Sequence, residues 1–118
     1  MARNSTYTLT TYKDSDNNTI TGKIVFDGTS ITAADYIQLD VGFKPRYVRV
    51  ENLTDRIAVE FWQGMTDDNC LKTAANGTKT LETTNQGVTL IDRGFRVSQN
   101  ATLAVIAASK TLYFTAIK

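Results

Sequence analysis

The sequence predicts an all-β protein: an antiparallel two-sheet β-sandwich, jelly-roll-like in its size and number of strands. Three observations lead there. The stretch from Phe43 to Met65 holds two runs that alternate with a period of two around a short polar link. Turn signals recur along the rest of the chain at about every 8–12 residues, as in sandwiches and barrels. No segment carries the apolar spacing of an amphipathic helix of useful length.

The central pair of runs is the clearest element. In the first, Val48 and Val50 share one face, and Tyr47, Arg49 and Glu51 the other. In the second, Ile57, Val59 and Phe61 oppose Ala58, Glu60 and Trp62. Leu53-Thr54-Asp55 joins them, so the pair is expected to be a hairpin with one face on a core. Pro45, the only proline, precedes the first run, where its missing N–H is harmless.

The other elements follow in chain order. Residues 1–19 are rich in Thr, Ser, Asn and Asp, with Tyr7, Leu9 and Tyr12 as the only large apolar side chains. Thr6 to Tyr12 alternates only weakly. The segment is expected to be an extended polar arm that pairs with a neighbour's sheet edge or stays unpaired, and whose loss leaves the fold intact. The sandwich domain is expected over residues 20–118. Asp14-Ser15-Asp16-Asn17-Asn18 opens like a calcium loop, but Thr19 stands where the turn needs Gly and Val25 where the site needs a bidentate Glu. A solvated turn is expected instead.

Gly22 to Asp27 reads as a strand with Ile24 and Phe26 on one face. Thr32 to Asp35 reads as one helical turn or a loop, and Tyr36 to Val41 alternates again. Cys70 to Ala75 and Thr78 to Thr83 flank Asn76-Gly77, a strong tight-turn pair because both residues tolerate positive φ. Beyond the turn Asn85-Gln86-Gly87, strands are expected at Val88 to Ile91 and around Phe95 and Val97. Thr102 to Ala107 alternates with apolar residues on both faces and is expected to be a strand buried on both sides. Thr111 to Lys118 sets Leu112, Phe114 and Ala116 against Tyr113, Thr115 and Ile117.

The totals narrow the function classes. The chain has 118 residues, the size of one domain, and its 13 basic and 12 acidic residues leave a net charge of +1. Such a balance supplies no field to attract nucleic acid or an anionic membrane, and neither partner is expected. No apolar run approaches the roughly 20 residues that span a bilayer. The first residues lack the apolar segment of a secretory signal, so export by that route is not expected. There is no histidine, which removes the commonest general base and the commonest transition-metal ligand. The single cysteine, Cys70, reads as a small core or turn residue. Adjacent carboxylates such as Asp67 and Asp68 lie in polar loops, and nothing places a pair across a cleft as a glycosidase requires. Phosphate-loop, dinucleotide and nucleophile-elbow motifs are absent. No catalytic residue, metal or cofactor is expected, and the chain is not expected to be an enzyme.

The aromatic side chains carry more. Trp62 and Tyr47 fall on the faces opposite the core residues of their runs. They read as cover for a loop such as Gly64-Met65, as a protein interface, or as a platform for sugars. Tyr, Trp, Arg and Met are the types enriched at interface cores. Tyr7, Tyr12, Tyr47, Arg49, Trp62 and Met65 are therefore the candidate interface residues.

Phe43-Lys44-Pro45-Arg46-Tyr47-Val48-Arg49-Val50-Glu51-Asn52-Leu53-Thr54, followed by Glu60-Phe61-Trp62-Gln63-Gly64-Met65, resembles small virion proteins of tailed bacteriophages. Gly77-Thr78-Lys79-Thr80-Leu81, Gly87-Val88-Thr89-Leu90 and Arg93-Gly94-Phe95-Arg96-Val97 continue the pattern, which covers about residues 42 to 117. The member type most similar is the capsid decoration, or cement, protein. That resemblance implies a β-sandwich that assembles as a dimer or trimer and binds the outside of the major capsid protein lattice. It implies a place on the capsid exterior of the virion after synthesis in the host cytoplasm. It implies no catalytic or cofactor residue. The alternative reading is a receptor- or carbohydrate-binding β module of the tail-fibre kind.

Overall fold

The computed structural model describes residues 3–13, 18–83, 87–100 and 103–118. Ten strands run through them: β1 (Tyr7–Lys13), β2 (Thr19–Phe26), β3 (Tyr36–Asp40), β4 (Tyr47–Asn52), β5 (Ile57–Trp62), β6 (Cys70–Thr73), β7 (Lys79–Glu82), β8 (Val88–Ile91), β9 (Gly94–Ser98) and β10 (Thr111–Ile117). They form two antiparallel sheets, a seven-stranded one in the order β1-β2-β10-β4-β5-β6-β7 and a three-stranded one in the order β3-β9-β8. The all-β sandwich expected from the sequence is the fold. Early strands pair with late ones: β10 sits between β2 and β4, and β3 pairs with β9 in the opposite sheet. The meander β5-β6-β7 then widens the larger sheet.

The period-two pattern decides the faces. Val48, Val50, Val59 and Phe61 of the central hairpin point inward, joined by Ile20, Ile24 and Phe26 of β2 and by Leu112, Phe114 and Ala116 of β10. The smaller sheet contributes Ile37, Leu39, Phe95, Val97 and Val88. Phe95 and Phe114 meet edge to face across the layers at 5.6 Å between centroids. Phe114 also fills the place a side chain at Gly22 would need, since a Cβ there would lie 2.2 Å from its ring. Cys70 is wholly buried in this core. Burial, and next the charges of Glu82 and Asp68, push its thiol up to about 12.

Two expectations are corrected. The N-terminal segment is not a free arm. Tyr7–Lys13 pairs residue for residue with β2 of its own chain, and Leu9 and Tyr7 pack against the core, Tyr7 against Phe26. Ahead of it, the Asn4 N–H donates to the Tyr36 carbonyl at 2.7 Å and the Arg3 guanidinium donates to the Gln38 carbonyl at 3.1 Å. The sandwich thus begins before residue 20, and deleting residues through Tyr12 removes core contacts. Leu103 to Ala107 is not a strand either. Ala104 takes φ 62, which breaks the alternation and lets the adjacent Val105 and Ile106 both turn inward with Leu103. The segment plugs one end of the sandwich. Its Val105 carbonyl is met by Asn52, a fully buried side chain of β4. The calcium-loop-like run at residues 14–17, the turn residues Asn85 and Gln86, and Thr102 lie outside the described residues. Thr32 to Asp35 is a turn closed by a hydrogen bond from the Asp35 N–H to the Thr32 carbonyl.

Candidate protein-docking face

The outer face of the seven-stranded sheet is built by the residues that alternate with the core. In register across β10, β4 and β5 lie Ile117, Tyr47 and Trp62; the next row is Thr115, Arg49 and Glu60; the next is Tyr113, Glu51 and Ala58. On β2 and β1 the same face continues with Val25 and Tyr12, and on β6 and β7 with the opposed pair Leu71 and Leu81. Seven large apolar side chains are exposed among the described residues: Tyr12, Val25, Leu53, Trp62, Leu81, Tyr113 and Ile117. All but Leu53, in the β4–β5 turn, stand on this one face.

A hydrogen-bonded polar cluster sits among them. Arg49 reaches Glu51 at 3.2 Å and Glu60 at 3.4 Å. Tyr47 Oη donates to Glu60 Oε2 at 2.6 Å. Burial and then this bond to a carboxylate push the Tyr47 hydroxyl up to about 12. For Arg49, burial works against the charge, but Glu51 and Glu60 outweigh it and hold the guanidinium above its ordinary pKa. Each of the three charges therefore has a partner, although one guanidinium shared by two carboxylates leaves the cluster with one excess negative charge.

Trp62 is held from below and beside. Its ring lies 5.5 Å from that of Tyr47, tilted by 50°. Because β6 pairs only with Ala58 to Glu60, the Trp62 N–H has no ladder partner. The chain turns back through Gly64 at φ 102, and Met65 Sδ accepts that N–H at 3.3 Å. Trp62 remains 43% exposed.

Four of the six candidate interface residues, Tyr12, Tyr47, Arg49 and Trp62, share this face, and Met65 braces it from the turn. Tyr7 does not join them. It faces inward and its hydroxyl donates to the Gln38 carbonyl of β3 at 3.2 Å, tying the two sheets together. Sequence reasoning missed Val25, Leu81, Tyr113 and Ile117. The signal was their place on the polar side of each alternation, but nothing local tells which strands lie side by side.

The other surfaces offer less. On the smaller sheet Arg96 covers the Tyr36 ring at 4.7 Å and donates to Gln38 Oε1, so that aromatic face is already occupied. A hollow of about 340 Å³ opens between Ile31, Ala33, Ala104, Ile106 and Ala107. Its polar groups are engaged: Gln99 donates to the Thr32 carbonyl, and Asp55 meets Asn52 and Lys110. On the outer face of the larger sheet the hollow beside Arg49, Glu51 and Tyr113 measures only about 80 Å³, below the roughly 300–1,000 Å³ of small-molecule sites. Among the described residues no group of three or more Cys, Asp or Glu side chains is placed to hold a metal ion. Comparison of the chain with protein-family models, with curated proteins and with solved structures gives no match.

Proposed function

We propose that this protein is a structural virion component that binds the outer surface of a phage capsid lattice and stabilises it, with the major capsid protein as its partner. One observation carries the docking part of this reading: nearly all the exposed large apolar side chains lie on the outer face of one sheet, around the paired charges of Arg49, Glu51 and Glu60. Scattered single apolar residues are ordinary on a surface, whereas a shared face of them marks a binding surface. The capsid as partner rests on the resemblance of residues 42 to 117 to small virion proteins. Each copy would span several capsid subunits, so that modest contacts add through effective concentration.

Trp62→Ala and Tyr113→Ala remove exposed side chains and spare the core. Each is expected to cost roughly 1–2 kcal/mol of contact, about a tenfold loss of occupancy on purified capsids. Unchanged occupancy would sink the assignment of this face. The number of copies per particle tests the rest: a number that tracks the capsid subunits supports cement, and a handful points to the tail. The tilted Tyr47–Trp62 pair also supports a second reading, a carbohydrate-binding module. On that reading Trp62 fluorescence responds to added glycans.

A further inference from the structure

The sandwich has four sheet edges, and three of them are guarded. β3 is covered by the N-terminal segment, through the Arg3–Tyr36 bridge and the Asn4 and Arg3 hydrogen bonds. β8 is only four residues long and is bridged by Asn69 and bonded by Asp68. β7 is also four residues long and carries Lys79 and Glu82 at its ends. Short, charged or covered edges are the usual protection against unwanted strand pairing.

β1 has none of these devices. It is seven residues long, Tyr7-Thr8-Leu9-Thr10-Thr11-Tyr12-Lys13, regular throughout its pairing with β2, free of proline and uncharged until its last residue. The Asp27 N–H donates to the Thr6 carbonyl at 3.0 Å, which places the narrow pairs of the β1–β2 ladder at Thr6, Thr8, Thr10 and Tyr12. The backbone N–H and C=O groups of Tyr7, Leu9, Thr11 and Lys13 therefore point away from β2. None of them bonds to another described residue.

We infer that β1 is the seam of a homodimer, in which a second copy of this chain adds its own β1 antiparallel across a two-fold axis. The inference stands apart from the capsid reading. The outward groups are distributed symmetrically about Thr10, so one register pairs all of them: Tyr7 opposite Lys13 of the second copy, Leu9 opposite Thr11, and Thr10 facing its own counterpart. Between Tyr7 and Tyr12 no charge opposes a charge, and the two lysines fall at opposite ends of the seam. The same register sets Tyr12, 56% exposed, opposite Thr8 of the second copy on the outer face, an aromatic–β-branched pair of the kind that stabilises sheets. An isologous contact of this kind closes at two copies. It makes one continuous sheet and joins the two docking faces edge to edge.

Thr10 would occupy a wide, non-hydrogen-bonded pair on the axis, with the two Cα atoms about 4.5 Å apart, inside the range a disulfide spans. Thr10→Cys is therefore expected to give a covalent dimer on oxidation, whereas Thr8→Cys, which faces Tyr12 of the second copy, is not. Light scattering on the wild type is expected to return twice the 13.0 kDa chain mass. Thr11→Pro deletes an outward N–H without touching the bonds to β2, so it is expected to yield a folded monomer with an unchanged circular dichroism spectrum. A wild-type monomer at the highest concentration reached overturns the inference. So does cross-linking through Thr8→Cys in preference to Thr10→Cys, which is readable even if the proline variant misfolds.

Discussion

Asn52→Ala is the most searching perturbation of this fold. Asn52 ends β4 on its inner face and is wholly buried. Its Nδ2 donates to the Val105 carbonyl at 3.1 Å and to Asp55 Oδ2 at 3.0 Å, and its Oδ1 accepts the Asp55 N–H at 3.0 Å. One side chain thereby fixes the β4–β5 turn and ties it to the irregular plug that closes the sandwich. The groups it leaves behind are not equal. Asp55 is partly open to solvent and water can replace Asn52 there, but Val105 is fully buried and its carbonyl would lose its bond in the dark of the core. Stranding a buried acceptor costs about 1–3 kcal/mol, and loss of the exchanged bond to the turn about 1 kcal/mol more. Together they predict a loss of roughly 2–4 kcal/mol. For 118 residues, at about 2.1 cal/mol/K per residue, that is a drop in melting temperature of roughly 8–16 °C. Thermal unfolding followed by circular dichroism reads it, with Leu53→Ala in the exposed turn next door as a control expected to shift stability by less than about 0.5 kcal/mol. An Asn52→Ala protein melting within about 2 °C of wild type would refute the assignment of the plug to this hydrogen bond.

Two further outcomes follow from titrating groups. The Tyr47 hydroxyl, held by burial and by Glu60 at about 12 against an ordinary 10, gains stability in its protonated form. Because its folded value lies above its unfolded one, that contribution is complete below pH 10 and is lost as the pH climbs toward 12. Spectrophotometric titration is expected to show a late tyrosinate phase near 12, and Tyr47→Phe to remove it. The Cys70 thiol, raised to about 12 by burial, stays protonated and shielded in the folded chain. A thiol reagent at mildly alkaline pH is expected to label Cys70 only after unfolding, and rapid labelling of the native protein would contradict its place in the core.

Much of this architecture was legible in the chain because a strand half in water writes its faces as a period of two. The Val48 and Val50 side of β4, the Val59 and Phe61 side of β5, and the outward placement of Tyr47, Arg49 and Trp62 are consequences of that period alone. β1 was harder to see because threonine occupies both of its faces, leaving Tyr7 and Leu9 as the sole apolar inward pair, too little for the pattern to declare a core. Leu103 to Ala107 misled in the opposite way. Its apolar residues imitate a strand, and only the left-handed turn at Ala104, made tolerable by the burial it brings, shows otherwise. Asn52 closes the first alternating run as a polar residue, and its burial became visible only with the Val105 carbonyl beside it.

By itself, then, the order of residues determined the secondary structure class, the inward and outward side of most strands, and the want of histidine-based chemistry, since these depend on neighbours one or two positions away. Tertiary structure decided which strands became neighbours. Ile117 of β10 stands beside Tyr47 and Trp62, and Tyr113 beside Glu51, only because β10 inserts between β2 and β4, a pairing between distant parts of the chain. The shared outer face is a property of that assembly, because its side chains converge through sheet order and not through proximity along the backbone.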